Sequence, residues 1–275
     1  MAIIMDKSVF FKNCFLIALL LLNSLFLRGE SHYKRSFNGF VLATWNIGHF
    51  SNGSKSYSTI KENDMDSVCE AYKGLIYQSI GADVMCINEY SQSLGKDLDG
   101  KTRRADRCIF GKFKNKVICE QYGYSCNAIF GNIRFRNWSK NDFESSKPYI
   151  NKDYRAAHYY YISTDIHVGG KIIKFICAHL ISRQDKLCQE EISELINKYK
   201  DCDRVIMCGD WNTTDFSQFR KAGYSLANNG TLFTYPYKSY PLDNIIVKGL
   251  RISDVKMIKT DLSDHYPLVC TVSVK

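Results

Sequence analysis

Only four prolines interrupt the 275-residue chain. No internal repeat and no low-complexity linker follows its N-terminal segment, which argues against tethered domains, so residues 38–275 read as one domain. The eleven cysteines include no Cys-x-x-Cys pair, so neither a zinc knuckle nor a thioredoxin-like redox site is indicated. The longest apolar run, Cys14 to Leu27, is fourteen residues, or roughly 21 Å of helix against a hydrocarbon core of roughly 30 Å. That is short for a membrane span. Lys7 and Lys12 precede the run and Arg28-Gly29-Glu30 closes it, the order of a secretory signal. No Ala-x-Ala triplet marks a cleavage site, although the small residues Gly29 and Ser31 permit cleavage there. No cysteine follows until Cys69, which argues against a lipid anchor. Residues 1–29 are therefore expected to be a signal peptide of an exported protein, with an uncleaved N-terminal anchor as the alternative.

What is present suits a folded, basic protein. Apolar residues make up 45% of the chain and charged residues 24%, enough to bury a full core. The formal charge is +9, and because residues 1–29 hold three basic and one acidic residue, +7 remains on the rest. Such a surface suits polyanions, nucleic acid or anionic lipid headgroups, or it simply keeps the protein soluble. The segment from Lys96 to Lys116 concentrates this charge, with eight basic residues against Asp97, Asp99 and Asp106. It reads either as a track for a phosphate backbone or as a solvated loop. Among the cysteines, Cys86, Cys177 and Cys208 fall in apolar runs and are expected as buried thiols. Cys108, Cys119, Cys126, Cys188 and Cys202 lie in polar or helix-flanking segments where disulfides fit an exported protein.

Apolar runs with β-branched and aromatic content predict strands at Phe40 to Trp45, Val84 to Ile87, Tyr159 to Ile166, Ile172 to Ala178, Val205 to Cys208, Ile245 to Val247 and Leu268 to Val274. Two helical stripes stand out, one from Val68 to Ile80 stopped by Gly81, the other from Cys188 to Tyr199. This pattern predicts an α/β fold of two packed sheets flanked by helices. A polar residue follows run after run: Asn46, Glu89, His179, Asp210 with Asn212, Asp243, and Asp264 with His265. Polar groups at the mouths of neighbouring strands converge on one surface, where a rigid scaffold can preorganise them. Trp45 and Trp211 alternate with these residues and should point into the core.

The chemistry of these groups suits phosphodiester hydrolysis. A diester resists attack because its charge repels a nucleophile and its alkoxide leaves poorly, so a hard divalent cation on carboxylates helps on both counts. Glu89 is the first metal ligand, with Asn46 adding an oxygen and Asp264 offering a second position. So sparse a protein shell points to Mg²⁺ or Mn²⁺ rather than zinc. Asp210 would orient and deprotonate the water, Asn212 would fix its geometry and touch a phosphate oxygen, and Asp243 would hold the tautomer of His265. In the alternative assignment, the His265–Asp243 pair is the base. His179 would donate to the phosphate or protonate the leaving group, with Asn127 and Arg155 as further phosphate-side residues. His32, His49, His158 and His167 receive no role.

The motifs in their order resemble the endonuclease/exonuclease/phosphatase superfamily, which includes DNase I-like nucleases and bacterial sphingomyelinases. Thr-Trp-Asn-Ile-Gly at 44–48 is similar to its first motif and Ile-Asn-Glu-Tyr at 87–90 to its second, with Asn88 in place of the usual Gln. Asn127-Ala128-Ile129, Arg155, Ala178-His179-Leu180, Gly-Asp-Trp-Asn at 209–212, Leu242-Asp243-Asn244 and Ser-Asp-His-Tyr-Pro-Leu at 263–268 complete the series. The resemblance spans nearly all of residues 40–274. It implies a four-layer α/β sandwich, two central mixed β-sheets flanked by helices, and a metal-dependent phosphoric ester hydrolase. A nuclease acting on DNA or RNA as a monomer is the first expectation. A secreted sphingomyelinase-like phospholipase is the alternative, and a nucleic-acid-binding module without activity is the alternative of another class. Pro241-Leu242-Asp243-Asn244 lacks the Trp-Cys-Asp-Arg of inositol 5-phosphatases. Tyr235, Tyr237 and Tyr240 could stack on bases or pack against their own loop.

Overall fold

Residues 38–50, 65–91, 104–120, 125–149 and 159–275 are described in a computed structural model of the chain. The expected signal peptide, Arg155 and the first part of the basic segment lie outside them. In chain order the elements are β1 (Gly39–Asn46), α1 (Met65–Gly74) continued by a π-helical turn (Leu75–Ile80), β2 (Val84–Ser91), α2 (Arg104–Cys108), β3 (Asn115–Glu120), β4 (Ser125–Gly131), β5 (Arg136–Asp142), β6 (Tyr160–Val168), β7 (Lys171–His179), α3 (Asp185–Lys198), β8 (Val205–Asp210), α4 (Ser217–Lys221), β9 (Ser225–Leu226), β10 (Asp243–Lys248), β11 (Leu250–Met257) and β12 (Leu268–Val274). No helix among the described residues is long and apolar enough to cross a membrane.

The strands form two six-stranded mixed sheets, ordered β11-β12-β1-β2-β4-β3 and β5-β6-β7-β8-β10-β9. Each is built around a parallel pair: β1 with β2, and β7 with β8. Parallel neighbours need a crossover, supplied by α1 in one sheet and α3 in the other. Gly81, at φ +61, ends the first crossover helix, and its N–H returns to the Ile76 carbonyl.

Strand alternation sorts the apolar residues into three layers of core. Phe40 and Leu42 of β1, Cys86 of β2, Cys177 of β7 and Cys208 of β8 fill the space between the sheets. Ala43 and Trp45 of β1 face the other way and meet Tyr72 and Ile76 of the first crossover. Met207 of β8 and Trp211 meet Leu187, Ile192 and Leu195 of α3. Helix, sheet, sheet and helix give the four-layer sandwich that the sequence predicts. Every strand expected from an apolar run is present. The five strands without one are β3, β4, β5, β9 and β11, and four of these are the sheet edges. Edge strands tolerate polar residues on both faces and lose the alternation that marks a strand; β5, of sequence RNWSKND, is an example. The cysteines expected in disulfides are free thiols, and Cys119, Cys126 and Cys188 are buried.

Candidate active site

The ends of β1, β2, β7, β8 and the start of β10 open at one mouth of the sandwich. Register decides what meets there. His179 of β7 pairs with Asp210 of β8, and Asp210 pairs with Asp243 of β10, which sets three ionisable groups in one row. In the other sheet Asn46 of β1 pairs with Asn88 of β2. Gly209 is required at its position: its φ is +147, and a Cβ there would sit 1.8 Å from the Ala178 carbonyl oxygen.

A β-bulge aims Glu89. The β2–β4 register shifts between Ile87 and Tyr90, and Glu89 takes a left-handed φ of +52. The extra residue breaks the two-residue alternation. Asn88 and Glu89, adjacent in sequence, thereby both serve the mouth. Asn88 is fully buried and bridges the two sheets: its Nδ2 donates to Asn127 Oδ1 (2.8 Å) and the Ala178 carbonyl (3.0 Å), and its Oδ1 accepts the Asp210 N–H (2.9 Å). Asn127 sits behind this bridge with no exposed surface, its amide taken by Asn88 and the Tyr160 carbonyl. The structure gives Asn127 a supporting place behind the mouth.

Asn46 joins the two carboxylates of the mouth. Its Oδ1 accepts the Gly48 N–H at 3.1 Å, while its Nδ2 donates to Glu89 Oε1 (3.2 Å) and Asp210 Oδ2 (3.0 Å). In this orientation Asn46 holds the two carboxylates together, with its Oδ1 on the Gly48 N–H. Glu89 Oε2 lies 3.1 Å from His49 Nε2, a residue to which sequence reasoning gave no role. His49 and Phe50 both adopt left-handed backbone angles, φ +55 and +61, as does Asn212 at +47. Three non-glycine residues in this region of φ/ψ space beside Glu89 mark local strain at the mouth.

The remaining groups form a chain of alternating charge. His265 Nδ1 is 2.8 Å from Asp243 Oδ2, and its Nε2 faces Asp210 Oδ2 at 3.7 Å. His179 Nε2 approaches the same Asp210 oxygen at 3.5 Å. Asp210 Oδ1 accepts the Asn212 N–H, and Asn212 Nδ2 donates to the Leu180 carbonyl. Burial alone would raise the Asp210 carboxyl, but His265 and His179 outweigh it and hold the group well below the usual carboxylate range. Burial opposes the charged form of His265, yet Asp243 and Asp210 push its imidazole up to about 10. His179 is shifted upward as well, burial again being outweighed by Asp210. Asp243 is raised, chiefly by burial.

The Ser263-Asp264-His265 loop is tied to β1. Ser263 Oγ donates to the Asn46 carbonyl at 2.8 Å and accepts the His265 N–H at 3.2 Å, while Trp45 Nε1 donates to the His265 carbonyl at 3.0 Å. Asp264 is half-buried, and its Oδ1 lies 3.3 Å from Ser263 Oγ. Burial raises that carboxyl, and the like charge of Glu89 raises it further. Glu89 itself is held well below its usual range: burial opposes ionisation, and His49, His179 and His265 overcome it. Two groupings could take a cation. Asp210, Asp243 and His265 offer ligand atoms within 4.8 Å of one another, but the short His265–Asp243 contact already occupies that set. Glu89 and Asp264 are hard oxygen donors with no direct contact to each other's charge-neutralising partner, which fits a hard divalent cation better.

No protein-family model and no curated protein matches the sequence. Solved structures do match it in fold. Danio rerio TDP2, complexed with a single-strand DNA product, is 15% identical with a TM-score of 0.61, over 86% of this chain and 99% of that one. The catalytic domain of human Nocturnin, with a bound sulfate anion, is 15% identical with a TM-score of 0.60, over 86% and 95%. An endonuclease/exonuclease/phosphatase from Bacteroides vulgatus is 13% identical with a TM-score of 0.62, over 86% and 99%. The chain thus has the DNase I-like fold of the endonuclease/exonuclease/phosphatase superfamily.

Proposed function

We propose that this chain is an exported, divalent-metal-dependent phosphodiesterase that hydrolyses nucleic acid. The observation that carries the reading is the single mouth at which Glu89, His179, Asp210, Asp243 and His265 meet, all linked directly or through Asn46 and each backed by a buried partner. Glu89 and Asp264 would hold Mg²⁺ or Mn²⁺, which when bound supplies charge neutralisation at the phosphate and at the departing oxygen.

Asp210 is the acceptor of the site. Its Oδ2 collects Asn46, His179 and His265, so the carboxylate is fixed in place and ionised, ready to orient a water and take its proton. Asp243 fixes the ring of His265 through Nδ1, which leaves Nε2 facing the reacting region. His265 and His179 present N–H donors toward the negative charge that grows on the phosphoryl oxygens. His179, at the end strand of the row, would hand its proton to the leaving oxygen. Asn212, anchored through its own Nδ2 on Leu180, presents the edge of its amide to a phosphate. The positive charge of the chain supports a polyanionic substrate.

The experiment is a panel. The protein is incubated with Mg²⁺ or Mn²⁺ and plasmid DNA, RNA, sphingomyelin vesicles or inositol phosphates, beside an Asp210→Ala/His265→Ala variant. Chelator-sensitive cleavage of nucleic acid that the variant lacks is the expected result. Headgroup release from lipid with nucleic acid left intact would replace the nuclease reading by a phospholipase. Tight nucleic-acid binding with no ester turned over would leave a binding module.

A further inference from the structure

An aromatic hairpin stands on the edge of the proposed site. Residues 233–240 precede β10, and Tyr235 and Tyr240 exchange both backbone hydrogen bonds, which closes the loop into a bridge. The base of this loop is fixed to the catalytic pair. Thr234, fully buried, accepts the Asp243 N–H on its Oγ1 and the Tyr266 N–H on its carbonyl. The Tyr235 ring rests 4.9 Å from the His265 ring, and the Tyr237 ring lies 5.9 Å from that of Tyr235. Packing against the loop would bury these side chains. Instead Phe233 is 46% exposed, Tyr240 45% and Tyr237 65%.

We infer that this hairpin is a stacking platform for an unpaired nucleobase adjacent to the scissile phosphate, so that the substrate is single-stranded or locally unpaired nucleic acid. The inference rests on the nuclease reading above and adds the strand state. Rings spaced 4.9 and 5.9 Å apart run outward from the catalytic imidazole, so a phosphate at His265 places its own nucleotide over them. An aromatic face accepts any base, but the base must leave its duplex stack to lie on it. Both signs of charge stand at this edge: the Asp264 carboxylate acts on Tyr235 more strongly than the exposed Arg183 does, and Lys238 is exposed at the hairpin tip. The two exposed cations suit a phosphate backbone. A membrane-inserting tip would carry bare apolar side chains at its apex, whereas this apex is Pro236-Tyr237-Lys238-Ser239 with Tyr237 turned toward Tyr235.

The test compares two single strands of equal length, oligothymidylate and a base-free deoxyribose-phosphate strand, with Mn²⁺ and the full chain. The wild type is expected to show a KM about tenfold lower for the strand with bases, the size of one stacked base. A Tyr235→Ala/Tyr237→Ala variant with an unchanged melting temperature is expected to bring that ratio close to one. Equal KM values in the wild type, or a preference that survives the double substitution, would overturn this inference and leave the nuclease reading intact. Absence of cleavage of either strand, with sphingomyelin vesicles hydrolysed and bound through Phe233 and Tyr240, would overturn both.

Discussion

The two sides of the mouth handle buried charge in opposite ways. On one side Asp243, His265, Asp210 and His179 alternate acid and imidazole, and each stands against a neighbour of opposite charge. On the other, Glu89 and Asp264 are two carboxylates of like charge: burial raises Asp264 and Glu89 adds to it, while His49 is the imidazole in direct contact with Glu89 and His265 acts on both acids electrostatically. The first side is electrostatically complete and suits proton handling. The second is short of positive charge and suits a cation. Asn46 and Asn88 stand between them: the first touches a carboxylate of each side, and the second ties the Asp210 backbone to the opposite sheet. Neutral amides can join two charged halves without adding charge to either.

The comparison is broken most severely at its shared oxygen. Asp210→Asn keeps the shape of the side chain but removes the acceptor that three donors face. It is expected to lower kcat on a diester substrate by roughly 10³-fold with little change in melting temperature, as steady-state kinetics and thermal denaturation will show.

Asn88→Ala cuts the link between the halves. It leaves the Asp210 N–H and Ala178 carbonyl buried without their partner, at a cost of about 3 kcal/mol by the usual penalty for such groups. Urea denaturation measures that loss, and the row of ionisable groups should lose activity along with it. This asparagine also shows where the sequence runs out. Asp210 and Glu89 are legible because each closes an apolar run, and His265 because its Ser-Asp-His motif stands just before one. Asn88 looks like one more strand residue, because nothing short of the bulge reveals that it and Glu89 both reach the mouth. His49 is hidden for the same reason: its left-handed backbone is a tertiary property with no local signature. The fold was legible through its interior strands other than β4, and the polar edge strands were not.

Glu191 sharpens the comparison as a buried acid with no imidazole beside it. On α3, it accepts the Ile181 N–H at 3.1 Å and a hydrogen bond from Ser146, and burial pushes its carboxyl up to about 8 from the ordinary 4.5. The folded state therefore binds this proton more tightly than the unfolded chain. Its contribution is intact below about pH 4.5 and is lost as pH rises through about 8. Denaturation at pH 5 and pH 8 should show stability falling by about 3 to 4 kcal/mol from this group. Glu191→Gln should flatten the dependence. The smallest effect is expected at the open side: His49→Ala removes one partner of a half-exposed Glu89 and should lower activity by about fivefold, roughly 1 kcal/mol, with Glu89 remaining in place.

The assignment of the two sides is tested most directly by Mn²⁺ binding, followed by electron paramagnetic resonance on the wild type, Glu89→Gln and Asp243→Asn. The account predicts a bound ion in the wild type and in Asp243→Asn, and its loss in Glu89→Gln. Binding that survives Glu89→Gln but disappears with Asp243→Asn would place the metal among Asp210, Asp243 and His265 and contradict the division of the site.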